Sequence, residues 1–145
     1  MIALIQRVRS AEVSVADECV GRIGPGMLAL IGVQRDDTDH NAKRMVERLL
    51  GYRIFEDKDG RMNLSLRDVS GDLLLVPQFT LAAETRKGTR PGFSTAAEPD
   101  LARSLFQALV DHARSEHPVV ETGRFGAEML VSLVNHGPVT FWLDA

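Results

Sequence analysis

Hydrophobic and polar positions along the chain change rhythm several times, and each change predicts an element. From Met1 to Val8 the residues are apolar or β-branched with polar interruptions, and Val13 and Val15 continue a period of two, which predicts β-structure. Gly24-Pro25-Gly26 is a turn signal, and the unbroken apolar run Met27 to Val33 after it predicts a buried strand. Asp36-Asp37-Thr38 offers helix N-cap chemistry. Beyond it Ala42, Met45, Val46, Leu49 and Leu50 recur at helical spacing, with Lys43, Arg44, Glu47 and Arg48 off the stripe.

Arg53 to Glu56 returns to an extended pattern, closed by the turn residues Asp57-Lys58-Asp59-Gly60. Leu73 to Val76 reads as a short buried strand. Glu84 to Thr95 is a polar, basic loop. Pro99 suits the first turn of a second helix, with Leu101, Leu105, Ala108, Leu109 and His112 assigned to its apolar face. Two strands close the chain, Met129 to Val134 and Val139 to Leu143, joined by Asn135-His136-Gly137-Pro138. Many short strands with two helices predict an α+β fold, a compact curved sheet or β-barrel-like domain with flanking helices. No linker or repeat divides residues 1–145, so one domain is expected.

Composition narrows the function classes. With 145 residues the chain can bury roughly 70% of its unfolded surface, enough for one core. No apolar run approaches the ~20 residues of a membrane span, and no signal peptide is evident, so the cytoplasm is the expected compartment. The single cysteine, Cys19, cannot form an internal disulfide and reads as a packed or half-exposed thiol. A net charge of −3 argues against broad electrostatic binding of nucleic acid, while leaving room for a local basic patch that grips an RNA end.

Chemistry-bearing motifs are few. Metal-ligand spacing, a phosphate loop, a dinucleotide fingerprint and a nucleophile elbow are all absent, so neither metal nor cofactor is expected. Of the four histidines, His40, His112 and His117 fall on a helix surface, a helix end or a loop. Only His136 adjoins an unusual backbone motif.

Two segments remain: Pro77-Gln78-Phe79-Thr80-Leu81 and Asn135-His136-Gly137-Pro138-Val139-Thr140. By pattern they are a strand end, with Phe79 and Leu81 facing the core, and a Gly-Pro hairpin connection. Together they resemble the Ser-Gln-Phe-Thr and Gly-Pro-Val-Thr motifs of the D-aminoacyl-tRNA deacylases. The resemblance runs along nearly the whole chain, through Gln6-Arg7-Val8, Gly21-Arg22-Ile23-Gly24, Arg53-Ile54-Phe55-Glu56-Asp57, Met62-Asn63-Leu64-Ser65, Thr85-Arg86-Lys87-Gly88 and Thr122-Gly123-Arg124-Phe125-Gly126-Ala127.

The resemblance implies a homodimer with active sites at the subunit interface. It implies hydrolysis of D-amino acids, and of glycine, from the 3′-terminal adenosine of aminoacyl-tRNA. It further implies a cis Gly137-Pro138 peptide inserted into the partner's site to reject L-residues. Gln78, Phe79 and Thr80 become the catalytic candidates, and Gly137, Pro138, Pro77, Met129 and Arg7 the substrate-binding ones. Arg86, Lys87 and Arg90 are candidates for tRNA phosphates, or else a solvated charged loop.

Two departures stand out: Pro77 occupies the usual serine position, and His136 the usual aspartate position. Backbone N–H groups of Phe79 and Thr80 suit an oxyanion site, and Thr80 is the only side-chain nucleophile in the motif. A silent RNA-end-binding module and a small-metabolite esterase using Thr80 or His136 are the competing readings.

Overall fold

A computed structural model describes all of Met1–Ala145. Its frame is β1 (Ile2–Val15), a fourteen-residue strand with both edges occupied. On one edge β2 (Glu18–Ile23) and β3 (Gly26–Gly32) run in line, pairing with the far and near halves of β1. β8 (Leu130–Asp144) lies antiparallel along the other edge from Ile2↔Asp144 to Ser14↔Leu130. The sheet continues from β3 through β6 (Asp72–Pro77) to β7 (Val120–Thr122), both joined in parallel. β7 curls back toward β2, where a Cβ on Gly21 would lie 2.6 Å from the Thr122 carbonyl oxygen. The mixed sheet is thereby nearly closed into a barrel.

Both faces of the middle strands are buried, which explains why Met27–Val33 and Leu73–Val76 are continuously apolar rather than alternating. Ile5, Met27, Ala29, Ile31, Leu73 and Leu75 face the helices, whereas Val8, Leu28, Leu74 and Val76 fill the barrel interior. Helix α1 (Asp39–Gly51) buries the expected stripe Ala42, Met45, Val46, Leu49 and Leu50. The Thr38 backbone N–H donates to Asn41 Oδ1 at 2.8 Å and fixes its start. A small hairpin, β4 (Phe55–Glu56) and β5 (Met62–Leu64), precedes the single-turn helix α2 (Leu66–Val69). Helix α3 (Pro99–Glu116) packs beside α1.

Several expectations need correction. The buried face of α3 is Ala102, Leu105, Phe106, Leu109, Val110 and Ala113, leaving Leu101 39% exposed and Ala108 and His112 only half-buried. Proline at the first helical position made Leu101 look like the first core residue, but the stripe begins one residue later. His117 is buried, its ring nitrogen 2.7 Å from the Gly71 carbonyl oxygen. Cys19 is exposed. The two C-terminal strands are one strand, β8, interrupted by a protrusion. No helix is long and apolar enough to cross a membrane.

Candidate active site

β6 delivers the first motif. Its last pair with β3 is Ile31↔Pro77, and Gln78 N–H continues the ladder to the Ile31 carbonyl at 2.7 Å. N–H groups of a strand flanked on both sides alternate between its neighbours. That of residue 77 would point toward β7, beyond the last pair there, Leu75↔Thr122. Proline therefore ends the β6–β7 ladder here, since the next rung would need an N–H at residue 77.

The chain then tightens into a 3₁₀ turn, Phe79–Ala82, with Leu81 N–H donating to Gln78 O at 3.1 Å and Ala83 N–H to Thr80 O at 3.2 Å. This pattern leaves the N–H groups of Phe79 and Thr80 without an acceptor inside the turn. Gly32 lets the turn sit close, because a Cβ there would come within 2.9 Å of Leu81 Cβ. Phe79 does not enter the core as strand alternation implied. It is 59% exposed and leans on Phe93, ring centroids 5.3 Å apart. Gln78 Nε2 donates to Thr80 Oγ1, the only hydrogen bond of that hydroxyl, and no titratable side chain reaches it.

Beside the turn lies a cavity of about 510 Å³, lined among others by Pro77, Gln78, Phe79, Phe125, Ala127 and Met129. Its wall is set by the loop after β7. Arg124 N–H points at Met129 Sδ, 3.3 Å away, and a Cβ on Gly123 would come within 2.8 Å of the same sulfur. A groove of about 680 Å³ along α3, beside Arg103, Arg114 and Arg124, is larger but has mostly polar residues along it and holds no residue of the 77–81 or 135–140 segments. The smaller, more apolar cavity is the better site for a ligand.

The second motif forms a protrusion. Gln6 pairs with Thr140 and Val8 with Asn135, so His136 to Val139 stand opposite Arg7 alone. Arg7 is only 5% exposed. Its Nε donates to the His136 carbonyl and its Nη1 to the Ile54 carbonyl, each at 2.8 Å, and Glu56 Oε1 lies 3.8 Å from Nη2. At the base, the Asn135 side chain bonds to Val139 and Thr140.

The Gly137–Pro138 peptide is cis, and Gly137 has φ +152°. A Cβ at 137 would lie 2.5 Å from Val139 Cγ2 and 2.7 Å from Val139 N, so only glycine fits. Gly137 and Pro138 are exposed and do not line the Phe79 cavity of their own chain. The exposed His136 engages Arg7 through its carbonyl alone, and its imidazole makes no hydrogen bond.

Arg86, Lys87 and Arg90 ride on a loop closed by reciprocal bonds between Glu84 and Gly92 at 2.8 and 3.0 Å. Arg86 pairs loosely with Glu84, while Lys87 and Arg90 have no ion-pair partner. Phe93 ties the end of this loop to Phe79. In the hairpin beside Arg7, Asp57 accepts the Arg61 N–H at 3.0 Å, the Asn63 amide at 2.8 Å and the Asp59 N–H at 2.9 Å. These bonds, the Arg61 N–H first, hold its carboxyl below the usual range. No three His, Cys, Asp or Glu side chains converge as metal ligands would.

The structure thus brings Pro77, Gln78, Phe79 and Met129 to one cavity, and Arg7 to Gly137 and Pro138 at another place. Sequence reasoning assigned no role to Asn135, to Phe125 in the cavity wall, or to Gly123 packed behind Met129. An asparagine two residues before Gly-Pro was a legible signal, since asparagine side chains cap nearby backbone.

The family described as D-Tyr-tRNA(Tyr) deacylase matches residues 4–144. A D-aminoacyl-tRNA deacylase of Thioalkalivibrio sulfidiphilus (strain HL-EbGR7) is 67% identical over 99% of this chain and 97% of that protein. One from Stenotrophomonas maltophilia (strain K279a) is 61% identical over 99% of each. Among solved structures, a c-Myc DNA unwinding element binding protein superposes with TM-score 0.95 at 34% identity, covering 100% of this chain and 99% of the other. A probable eukaryotic D-amino acid tRNA deacylase superposes with TM-score 0.84 at 22% identity, covering 99% and 98%, and speaks for the fold alone.

Proposed function

The chain belongs to the D-aminoacyl-tRNA deacylase family, and we propose that its chemistry runs through backbone N–H groups at the start of the 3₁₀ turn. The enzyme is a hydrolase whose substrate is D-aminoacyl-tRNA. The observation that carries the mechanism is that the N–H groups of Phe79, which lines the apolar cavity, and of the adjacent Thr80 have no acceptor in the turn. An aminoacyl ester is already activated, so positioning and oxyanion stabilisation suffice. One well-placed donor contributes about 10²–10³ in rate. Water adds to the ester carbonyl and gives up a proton, negative charge gathers on the carbonyl oxygen held by those two N–H groups, and collapse breaks the ester bond, the ribose oxygen of the terminal adenosine taking up a proton to leave as a hydroxyl. Thr80 lacks a base, since its hydroxyl meets only the Gln78 amide, which supports a backbone role over a nucleophilic one.

Selectivity in this reading comes from a second copy of the chain. Gly137 and Pro138 project from a strand that also exposes Leu130, Val134, Phe141 and Trp142. An apolar face of this kind suits a two-fold interface. There each protrusion would enter the partner's cavity, with its carbonyls accepting the substrate α-ammonium. With ester and ammonium fixed, a D-side chain points to solvent and an L-side chain meets the Gly137-Pro138 backbone. Glycine, having no side chain, is hydrolysed as well. Arg7 braces the protrusion, Met129 and Pro77 shape the cavity, and Arg86, Lys87 and Arg90 meet phosphates near the acceptor end.

The test is hydrolysis of one tRNA charged in parallel with a D-residue, its L-enantiomer and glycine. Release of the D-residue and glycine with the L-ester intact supports the reading. Equal hydrolysis of both enantiomers removes the selectivity mechanism. No hydrolysis at all favours a binding module.

A further inference from the structure

One side chain spans the gap through which the protrusion leaves and rejoins β8. Asn135 Oδ1 accepts the Val139 N–H at 2.7 Å. Its Nδ2 donates to the Val139 carbonyl at 3.2 Å and to Thr140 Oγ1 at 3.1 Å. Gln6 Nε2 reaches the same hydroxyl from β1 at 3.3 Å. The amide acts as donor and acceptor at once, which neither a carboxylate nor an aliphatic side chain can do. It closes a ring whose free arc is His136-Gly137-Pro138. Arg7 holds that arc at a single atom, the His136 carbonyl oxygen.

We infer that Asn135 is a positioning residue for the reaction, setting how far and in which direction the Gly137-Pro138 backbone reaches, and so setting discrimination between D- and L-esters. The inference rests on the functional reading above. Two anchors define the arc, one on each limb: Arg7 on the outgoing limb, and Asn135 bridging to the returning one. With Asn135 removed, the returning limb is held only from Thr140 onward, by strand pairing and the Gln6 bond to its hydroxyl, and the N–H of the buried Val139 loses its acceptor. An arc hinged at one atom spreads its carbonyls over several positions, and displacement by about 1 Å is enough to cost up to 10²-fold in rate.

The experiment compares wild type, Asn135→Ala and Asn135→Asp on matched D- and L-aminoacyl-tRNAs, with thermal melting recorded for each. Aspartate keeps the acceptor for Val139 N–H and loses only the donor arm, so it also serves if the alanine variant folds poorly. Asn135→Ala is expected to lose about tenfold or more in kcat/KM on the D-ester, with KM rising more than kcat falls. Its D-to-L ratio should shrink, and Asn135→Asp should recover a large part of both. An unchanged D-to-L ratio in Asn135→Ala, whatever its melting temperature, overturns the role of Asn135 alone. So does an aspartate variant no better than alanine. A wild-type protein that leaves D-aminoacyl-tRNA intact overturns the functional reading and the positioning role with it.

Discussion

The turn after β6 and the protrusion in β8 both present backbone rather than side chains, yet they are held by opposite means. Gln78 to Thr80 follow a strand buried on both faces, and the ladder to Ile31 and the close seat over Gly32 dictate where the turn lies. The protrusion stands outside the ladder and is located by two side chains, Arg7 and Asn135. A site positioned by its own ladder should tolerate side-chain change, because the bonds that place it are backbone bonds. A site positioned by a few side chains transmits each change directly to the backbone it presents.

The largest effect expected from this contrast is at Gly137. In Gly137→Ala the new Cβ would fall 2.5 Å from Val139 Cγ2, at a φ that side chains seldom adopt, so the backbone must move. D-aminoacyl-tRNA hydrolysis should drop by about 10²-fold in a protein whose melting temperature changes little, because residue 137 is exposed. Activity within threefold of wild type, by single-turnover hydrolysis, would break the comparison.

Arg7→Ala comes next and should affect both quantities. The partly buried carbonyl of His136 and the buried one of Ile54 lose a charged donor. Each such bond contributes roughly 1.5–3 kcal/mol, so urea unfolding should show a loss of a few kcal/mol. Hydrolysis should fall about tenfold or more as the protrusion loses an anchor. Stability lost without any change in hydrolysis would mean that Arg7 only holds the β4–β5 hairpin to the barrel.

These two regions also differ in how far they could be read from sequence. Period-two and continuous apolar runs marked β1, β3 and β6, and the α1 stripe was correct residue for residue, because each follows from burial on known faces. Phe79 was misplaced because alternation was extended through a point where the strand had already ended. The α3 face slipped at Leu101 for a similar reason, the element starting one residue off its apolar stripe. Long-range contacts such as Arg7 to His136 carry no local signal, since the two residues are 129 positions apart. Only the resemblance pointed to them. β7 escaped notice as three residues whose only strand pairing is with β6.

Thr80→Ala probes the ladder-held region and should do little. It removes one hydroxyl bonded to Gln78 but retains the N–H proposed as an oxyanion donor. A loss below about tenfold in kcat is expected, against the roughly 10⁴ or more that follows removal of a true nucleophile. A loss of that larger size in a folded protein would replace the backbone mechanism with covalent catalysis.

The smallest effect separates the regions by pH. No acidic side chain or histidine hydrogen-bonds to the Gln78–Thr80 turn, but the hairpin that supplies Ile54 and Glu56 to Arg7 depends on Asp57. Its carboxylate is held below its ordinary value by the Arg61 N–H, with Asn63 and the Asp59 N–H adding to it. A depressed folded-state value means that Asp57 stabilises the hairpin at pH above the unfolded carboxyl value, about 4. That contribution is lost as pH falls through the folded value. Amide exchange, followed from neutral pH down past 4 and corrected for intrinsic rates, should therefore show residues 57–63 losing protection before residues 78–83. In Asp57→Asn the acid-specific difference between the two segments should vanish. Simultaneous loss in the wild-type protein would mean that hairpin and barrel open as one unit, and that acid does not distinguish the side-chain-held region from the ladder-held one.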